Sequence, residues 1–336
     1  MEYDELDGFL FHQGFRTTFG EMIEKIQNVS NDSLLELFGY VGDVFITNLG
    51  QIKTQLLELL GICLFFAFVQ QLSKEYGKDQ IQKYGNYIYF VCGATICLNL
   101  FMNGYETVYG TVRLLIQFME LLLPTYTFAV IFSNGTKTSA AYYGIILLIL
   151  FIAECVLCAV FLPGSKIYMA IRFVNEGIDE PLFTKFLKLF EDCFSWGLKG
   201  ILIGICSMNT IQSLIVPSID KVRELSTNKT VSMIPGIGKL AGSATELLLG
   251  TGALIKNSLG AASIIVLIAI CLPSIVKMLA MIIGIRLLDA CMEPLVGKRI
   301  AGLLEGCYKS IQLLLKVQVN VLALFSLTLV ILTAFS

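Results

Sequence analysis

Between Ile234 and Ser263 the chain reads IPGIGKLAGSATELLLGTGALIKNSLGAAS, with six glycines and two lysines set among long apolar runs. Glycine-rich loops closed by a lysine cradle phosphates through their backbone N–H groups, and that chemistry needs the order G-x-x-x-x-G-K followed by Ser or Thr. Here Lys239 follows Gly238, but Leu240 stands where the metal-binding hydroxyl belongs, and no strand pattern precedes it. The stretch has the composition of a phosphate loop without its order. Other reactive types are as sparse. His12 is the sole histidine and lies in the polar N-terminal region, which removes His-based triads and His metal clusters from the apolar runs. Cys155 and Cys158 have C-x-x-C spacing inside LFIAECVLCAVF, with no second Cys pair or His beside them. They read as small apolar packing residues, as do Cys63, Cys92, Cys97, Cys206 and Cys271. No catalytic set, metal site or cofactor site emerges, and the chain does not read as an enzyme.

Two ionisable residues stand out instead. Glu154 has ILLILFIA before it and CVLCAVFL after it, and Lys277 shares an apolar run with Pro273. An unpaired charge at the centre of a bilayer costs at least about 2.5–3.5 kcal/mol, so each must be paired, neutral or facing water. A structural pair between helices and a proton or ion relay both satisfy that condition, with Lys277 able to pair with a carboxylate such as Glu154. Glu58, Glu120 and Lys199 lie within or near the ends of apolar runs, and snorkelling serves for Lys199. In the glycine-rich stretch Pro235, Gly236 and Gly238 predict a broken helix, and broken backbone at membrane depth needs cover from protein or a water-filled cavity. Gly242, Gly250, Gly252, Lys256, Asn257 and Gly260 complete this candidate packing or pathway segment, with Asn257 or Ser258 as N-cap of the next run. The pairs Gly238/Gly242, Gly200/Gly204 and Gly302/Gly306 are each spaced for close helix contact through small residues.

The elements that must position these residues are set by hydropathy. Of 336 residues, 56% are hydrophobic and 15% charged, and the mean hydropathy is +0.76, which places the chain among integral membrane proteins. The apolar runs are apolar on all helix faces and long enough to cross a bilayer, so the fold class is all-α and polytopic, with about seven spans. These lie near 54–72, 87–103, 114–132, 140–162, 194–216, 261–285 and 313–335. Residues 1–53 form an extramembranous helical segment, 54–162 a first membrane region and 194–336 a second one holding the Gly-rich segment 234–260. Between them 163–193 is an amphipathic segment at the interface, with Leu182, Phe183, Phe186, Leu187 and Phe190 on one face, Lys185, Lys188 and Glu191 on the other, and Trp196 as anchor. Lys and Arg are nearly balanced between alternate loops and set no orientation. A net charge of −2 lacks the basic footprint of nucleic-acid binding.

Ile234-Pro235 to Gly238, Leu249-Gly250 and LIKNSLG from Leu254 to Gly260 are followed by CLPSIVKML from Cys271 and MEPLVGKRI from Met292, with Phe194, Trp196 and Gly197 upstream. In this order they resemble the stage III sporulation protein AE family, most specifically over residues 194–300. The resemblance implies a multi-pass protein of the mother-cell membrane around the forespore in endospore-forming bacteria. It implies a part in a channel or secretion-like complex that supports late forespore gene expression. Implied partners are membrane lipid, the other stage III sporulation A-operon membrane proteins and, through them, the forespore protein Q. No catalytic residue, cofactor or nucleic acid comes with it. Family members begin with a cleavable signal peptide, whereas MEYDELDGFLFHQGF has no basic n-region or apolar h-region. With a leader removed, residues 1–53 would lie between the two membranes. Two other readings fit the residues: a self-sufficient ion-coupled secondary transporter using Glu154, Lys277 and the stretch from Pro235 to Gly252, and a membrane scaffold without a pore.

Overall fold

The computed structural model describes residues 52–69, 79–134, 148–149, 151–153, 155–178, 182–231, 238–292 and 298–335, together with Gly8, Gly50 and Gln71, and the surroundings of side chains chiefly over 52–69, 87–122, 151–207, 259–292 and 300–330. All regular structure among them is helical. Helix α1 is Ile52–Val69, α2 is Asp79–Asn134, α3 is Leu162–Gly177, α4 is Thr184–Val231, α5 is Gly238–Met292 and α6 is Lys298–Phe335. Five stretches are long and apolar enough to cross a membrane among the described residues: Ile52–Val69, Tyr87–Leu122, Phe151–Gly177, Leu259–Met292 and Ile300–Val330. The chain is a multi-pass membrane protein.

The largest departure from the hydropathy reading is in α2. Two spans were expected, 87–103 and 114–132, with the polar GYETVYGTVR between them as a loop. The helix instead runs unbroken through all of it. No proline interrupts that polar stretch, and its hydroxyls are satisfied within the helix: Thr107 Oγ1 donates to the Asn103 carbonyl at 2.8 Å and Thr111 Oγ1 to the Thr107 carbonyl at 2.9 Å. Of the expected span 140–162, residues 140–147 lie outside the described residues, and the described part runs on past Leu162 to Gly177. Within it Leu157–Phe161 forms a π-turn. Pro163 explains it, because proline has no N–H for the carbonyl four residues back and its ring pushes that carbonyl away.

Helices α5 and α6 form the centre. Ser274 meets Gln318 while Arg286 lies over Tyr308 with 4.8 Å from guanidinium to ring centre, so numbers fall along α5 as they rise along α6 and the pair is antiparallel. Helix α2 runs parallel to α6, since Gly93 lies against Leu303 and Gly104 against Leu314. The side chains at the centre, including Leu267, Met278, Met281, Leu314 and Val317, are fully buried. Lipid tails are as apolar as these groups, so association rests on close packing and interhelical hydrogen bonds more than on the exclusion of water.

Helix α4 packs back on α3 and α6. Its start is fixed by Asn175, buried at the end of α3, whose Oδ1 accepts from the Phe183 backbone N–H at 2.7 Å. Of the apolar face expected over 182–190, Leu187 is buried and Phe190 lies on Tyr168 with ring centres 5.8 Å apart, whereas Leu182 and Phe186 remain exposed. Trp196 is 83% exposed.

Candidate functional site

Lys277 is the residue around which the membrane interior becomes polar. It sits in the middle of Leu259–Met292, a stretch of mean hydropathy 2.6. Its ammonium donates to Asn103 Oδ1 at 2.8 Å and to Thr107 Oγ1 at 2.9 Å, both on α2. The sequence allowed a carboxylate partner such as Glu154, which lies outside the described residues; the bonds found here go to neutral oxygens. Asn103 and Thr107 are four apart and share a face of α2, so one ammonium reaches both. Glu106 is within electrostatic reach of Lys277 and is exposed. Glu58, Glu120 and Lys199 are exposed as well.

A second polar contact joins α5 to α6 deeper in the bundle. Ser274 Oγ donates to Gln318 Oε1 at 2.8 Å, and Gln318 Nε2 donates to the Cys271 carbonyl at 3.3 Å. Pro273 stands between these groups, and the amide of Gln318 supplies polar contacts around the loosened turn.

The third feature, an ionic network across α3, α4 and α6, was not foreseen. Arg172 is 7% exposed. Its Nη2 lies 3.1 Å from Glu305 Oε2 and its Nε 3.4 Å from Glu176 Oε1. Lys309 Nζ lies 2.7 Å from Glu305 Oε1 and 4.0 Å from Glu191 Oε1. The buried Tyr168 hydroxyl donates to Glu191. The long arms of Arg172 and Glu176 fit only because Gly302 and Gly306 face them: a Cβ at Gly306 would come within 2.6 Å of Arg172 Cγ, and one at Gly302 would collide with the Glu176 carboxylate. The small-residue contact expected of this pair is present, and what it accommodates is charge. The signal in the sequence was the pair of i,i+4 couples, Arg172/Glu176 and Glu305/Lys309. Gly200 and Gly204, by contrast, have no neighbour within 4 Å.

The glycine-rich segment is described from Gly238 onward. From Gly238 onward the backbone is one continuous helix, which carries Gly242, Gly250, Gly252, Lys256, Asn257 and the buried Gly260 without interruption. The break was predicted at Pro235, Gly236 and Gly238, and of these only Gly238 is described, as the first residue of the helix; Asn257 and Ser258 lie inside the helix instead of capping one. Leu and Ala among the glycines favour helix, and a membrane raises the cost of any unpaired backbone group. Pro235 and Gly236 lie outside the described residues.

Several long apolar helices joined by intramembrane polar contacts define a polytopic α-helical membrane protein. The stage III sporulation protein AE family matches residues 17–336, and the chain belongs to that family. Stage III sporulation protein AE of Bacillus subtilis (strain 168) is similar at 22% identity over 307 residues, 90% of this chain and 75% of the relative. No solved structure matches the chain.

Proposed function

We propose that this protein is a membrane component of a channel or secretion-like complex joining mother cell and forespore, needed for late forespore gene expression. The observation that carries the reading is membership of a sporulation family over nearly the whole chain, together with a membrane bundle whose interior holds charge at Lys277. In this reading the chain resides in the mother-cell membrane around the forespore and contributes binding and conduction, not catalysis. Its partners are the other stage III sporulation A-operon membrane proteins and, through them, the forespore protein Q. The rival transporter reading draws on Lys277 too, but it also needs a broken segment from Pro235 to Gly252, and from Gly238 the helix is unbroken.

The test is deletion of the gene in its host, scoring the engulfed forespore for a late reporter and for its size. Engulfment followed by stalled expression and a shrinking forespore is the expected result. Normal spores from the deletion strain would refute the proposal.

A further inference from the structure

From Asn99 to Glu120 the outward face of α2 carries polar and charged residues at a depth where α1 and α5 expose apolar ones. Asn99, Met102, Glu106, Arg113, Gln117 and Glu120 recur every three or four residues, apart from one doubled interval at Gly110, and all six are exposed. That spacing puts them in one line along the helix. Contacts on the opposite side of α2 fix the depth. Gly104 lies against Met278 of α5 and Leu314 of α6, and Lys277 binds Asn103 and Thr107. Met278 and Leu314 occupy the middle of spans with mean hydropathies of 2.6 and 2.0. Glu106, two residues from Gly104, is therefore level with the middle of those two spans.

The other spans show what a lipid-facing surface looks like in this protein: Phe65 and Phe68 on α1, Ile268 and Ile283 on α5, and Val319 and Val330 on α6 are all exposed, and the exposed Lys316 of α6 donates to Ser195 of α4 at 2.8 Å. The α2 line breaks that pattern with two carboxylates, a guanidinium and two amides. Cations also gather at its edge. Lys166 of the neighbouring span lies 3.7 Å from the centre of the Tyr105 ring, Arg113 lies 4.9 Å from that of Tyr109, and the two rings stack with centres 6.1 Å apart. Charged groups facing hydrocarbon at mid-depth are costly, and exposed ones in membrane helices line water or meet protein.

We propose that this face of α2 lines a water-filled path for hydrophilic solutes through the membrane. The inference deepens the channel reading and rests on it for the direction of traffic. The test places single cysteines at Asn99, Met102, Glu106 and Gln117 of the full chain, in membrane fragments from sporulating cells open to both sides. A charged, membrane-impermeant methanethiosulfonate reagent is the probe, and rates are compared with the unsubstituted chain and with Ile268→Cys and Ile283→Cys. Thiols react as thiolates, which form in water and not in hydrocarbon. Cysteines on the α2 line should react at least tenfold faster than the two controls. Equal rates would overturn the inference, and an oxidative cross-link between two copies of Glu106→Cys without labelling would show that a second copy covers the face. Reaction at Gln117 alone would also overturn it, because only the helix end would then reach water. If Glu106→Cys does not accumulate, Asn99→Cys and Met102→Cys decide the matter. A dry face in a host whose deletion strain stalls would sink this inference and leave the channel reading standing; a wet face with a healthy deletion strain would do the reverse.

Discussion

Replacing Gly306 by alanine adds one methyl group at the point where α6 meets the buried arginine of α3. The new Cβ would lie 2.6 Å from Arg172 Cγ and 3.4 Å from its Nε, so the helices must separate by about 1 Å to reach ordinary contact, near 3.5–4.0 Å. Arg172 cannot simply swing aside, because Glu305 and Glu176 hold its guanidinium at 3.1 and 3.4 Å. Overpacking of this kind costs about 1–3 kcal/mol. Alanine offsets part of that with its greater helix preference, about 0.5–1 kcal/mol. The net expectation is a destabilisation of about 1–2 kcal/mol. Gly200→Ala is the matched control, since no atom lies within 4 Å of its Cβ position; only the helix term acts there, and the variant should gain about 0.5–1 kcal/mol. Unfolding of the purified protein in mild detergent, titrated with a denaturing detergent, measures both. Equal stability of the two variants would refute the claim that Gly306 is held to glycine by Arg172.

Asn103→Lys should lower accumulation in the membrane severalfold by setting a second ammonium against Lys277, and the exchange Asn103→Lys with Lys277→Asn should restore much of it; quantitative immunoblots of membranes check both, and no recovery in the double variant would contradict the contact. Glu305→Gln removes the bridge between Arg172 and Lys309 and should cost about 1–3 kcal/mol, less than a fully buried pair because Glu305 is partly exposed; the same denaturation assay reads it. In detergent, maleimide should modify the exposed Cys92, Cys155, Cys193 and Cys291 first, and the buried Cys63, Cys97, Cys271 and Cys307 only on unfolding. Mass spectrometry of timed samples distinguishes the two groups.

Class and membrane character were legible because hydropathy is summed over long windows and single residues do not disturb it. Lys277 was legible for the same reason in reverse, as one charge in an apolar run. Its partners were not, since Asn103 and Thr107 lie more than 160 residues away in sequence and sit in a stretch whose local polarity reads as a loop. Local composition cannot tell a loop in water from a helix whose polar face is met by another helix. The network around Arg172 was hidden likewise, being assembled from three helices. From Gly238 onward the glycines sit in unbroken helix, because an apolar surrounding favours the conformation that pairs every backbone group.

The most direct test of the conducting face is to block it in living cells. In a deletion strain complemented by Glu106→Cys, a bulky membrane-permeant maleimide added after engulfment should stall the late forespore reporter as the deletion does. The same reagent should leave expression intact in strains carrying the unsubstituted chain or Ile283→Cys. Full reporter expression with position 106 completely modified would contradict the account.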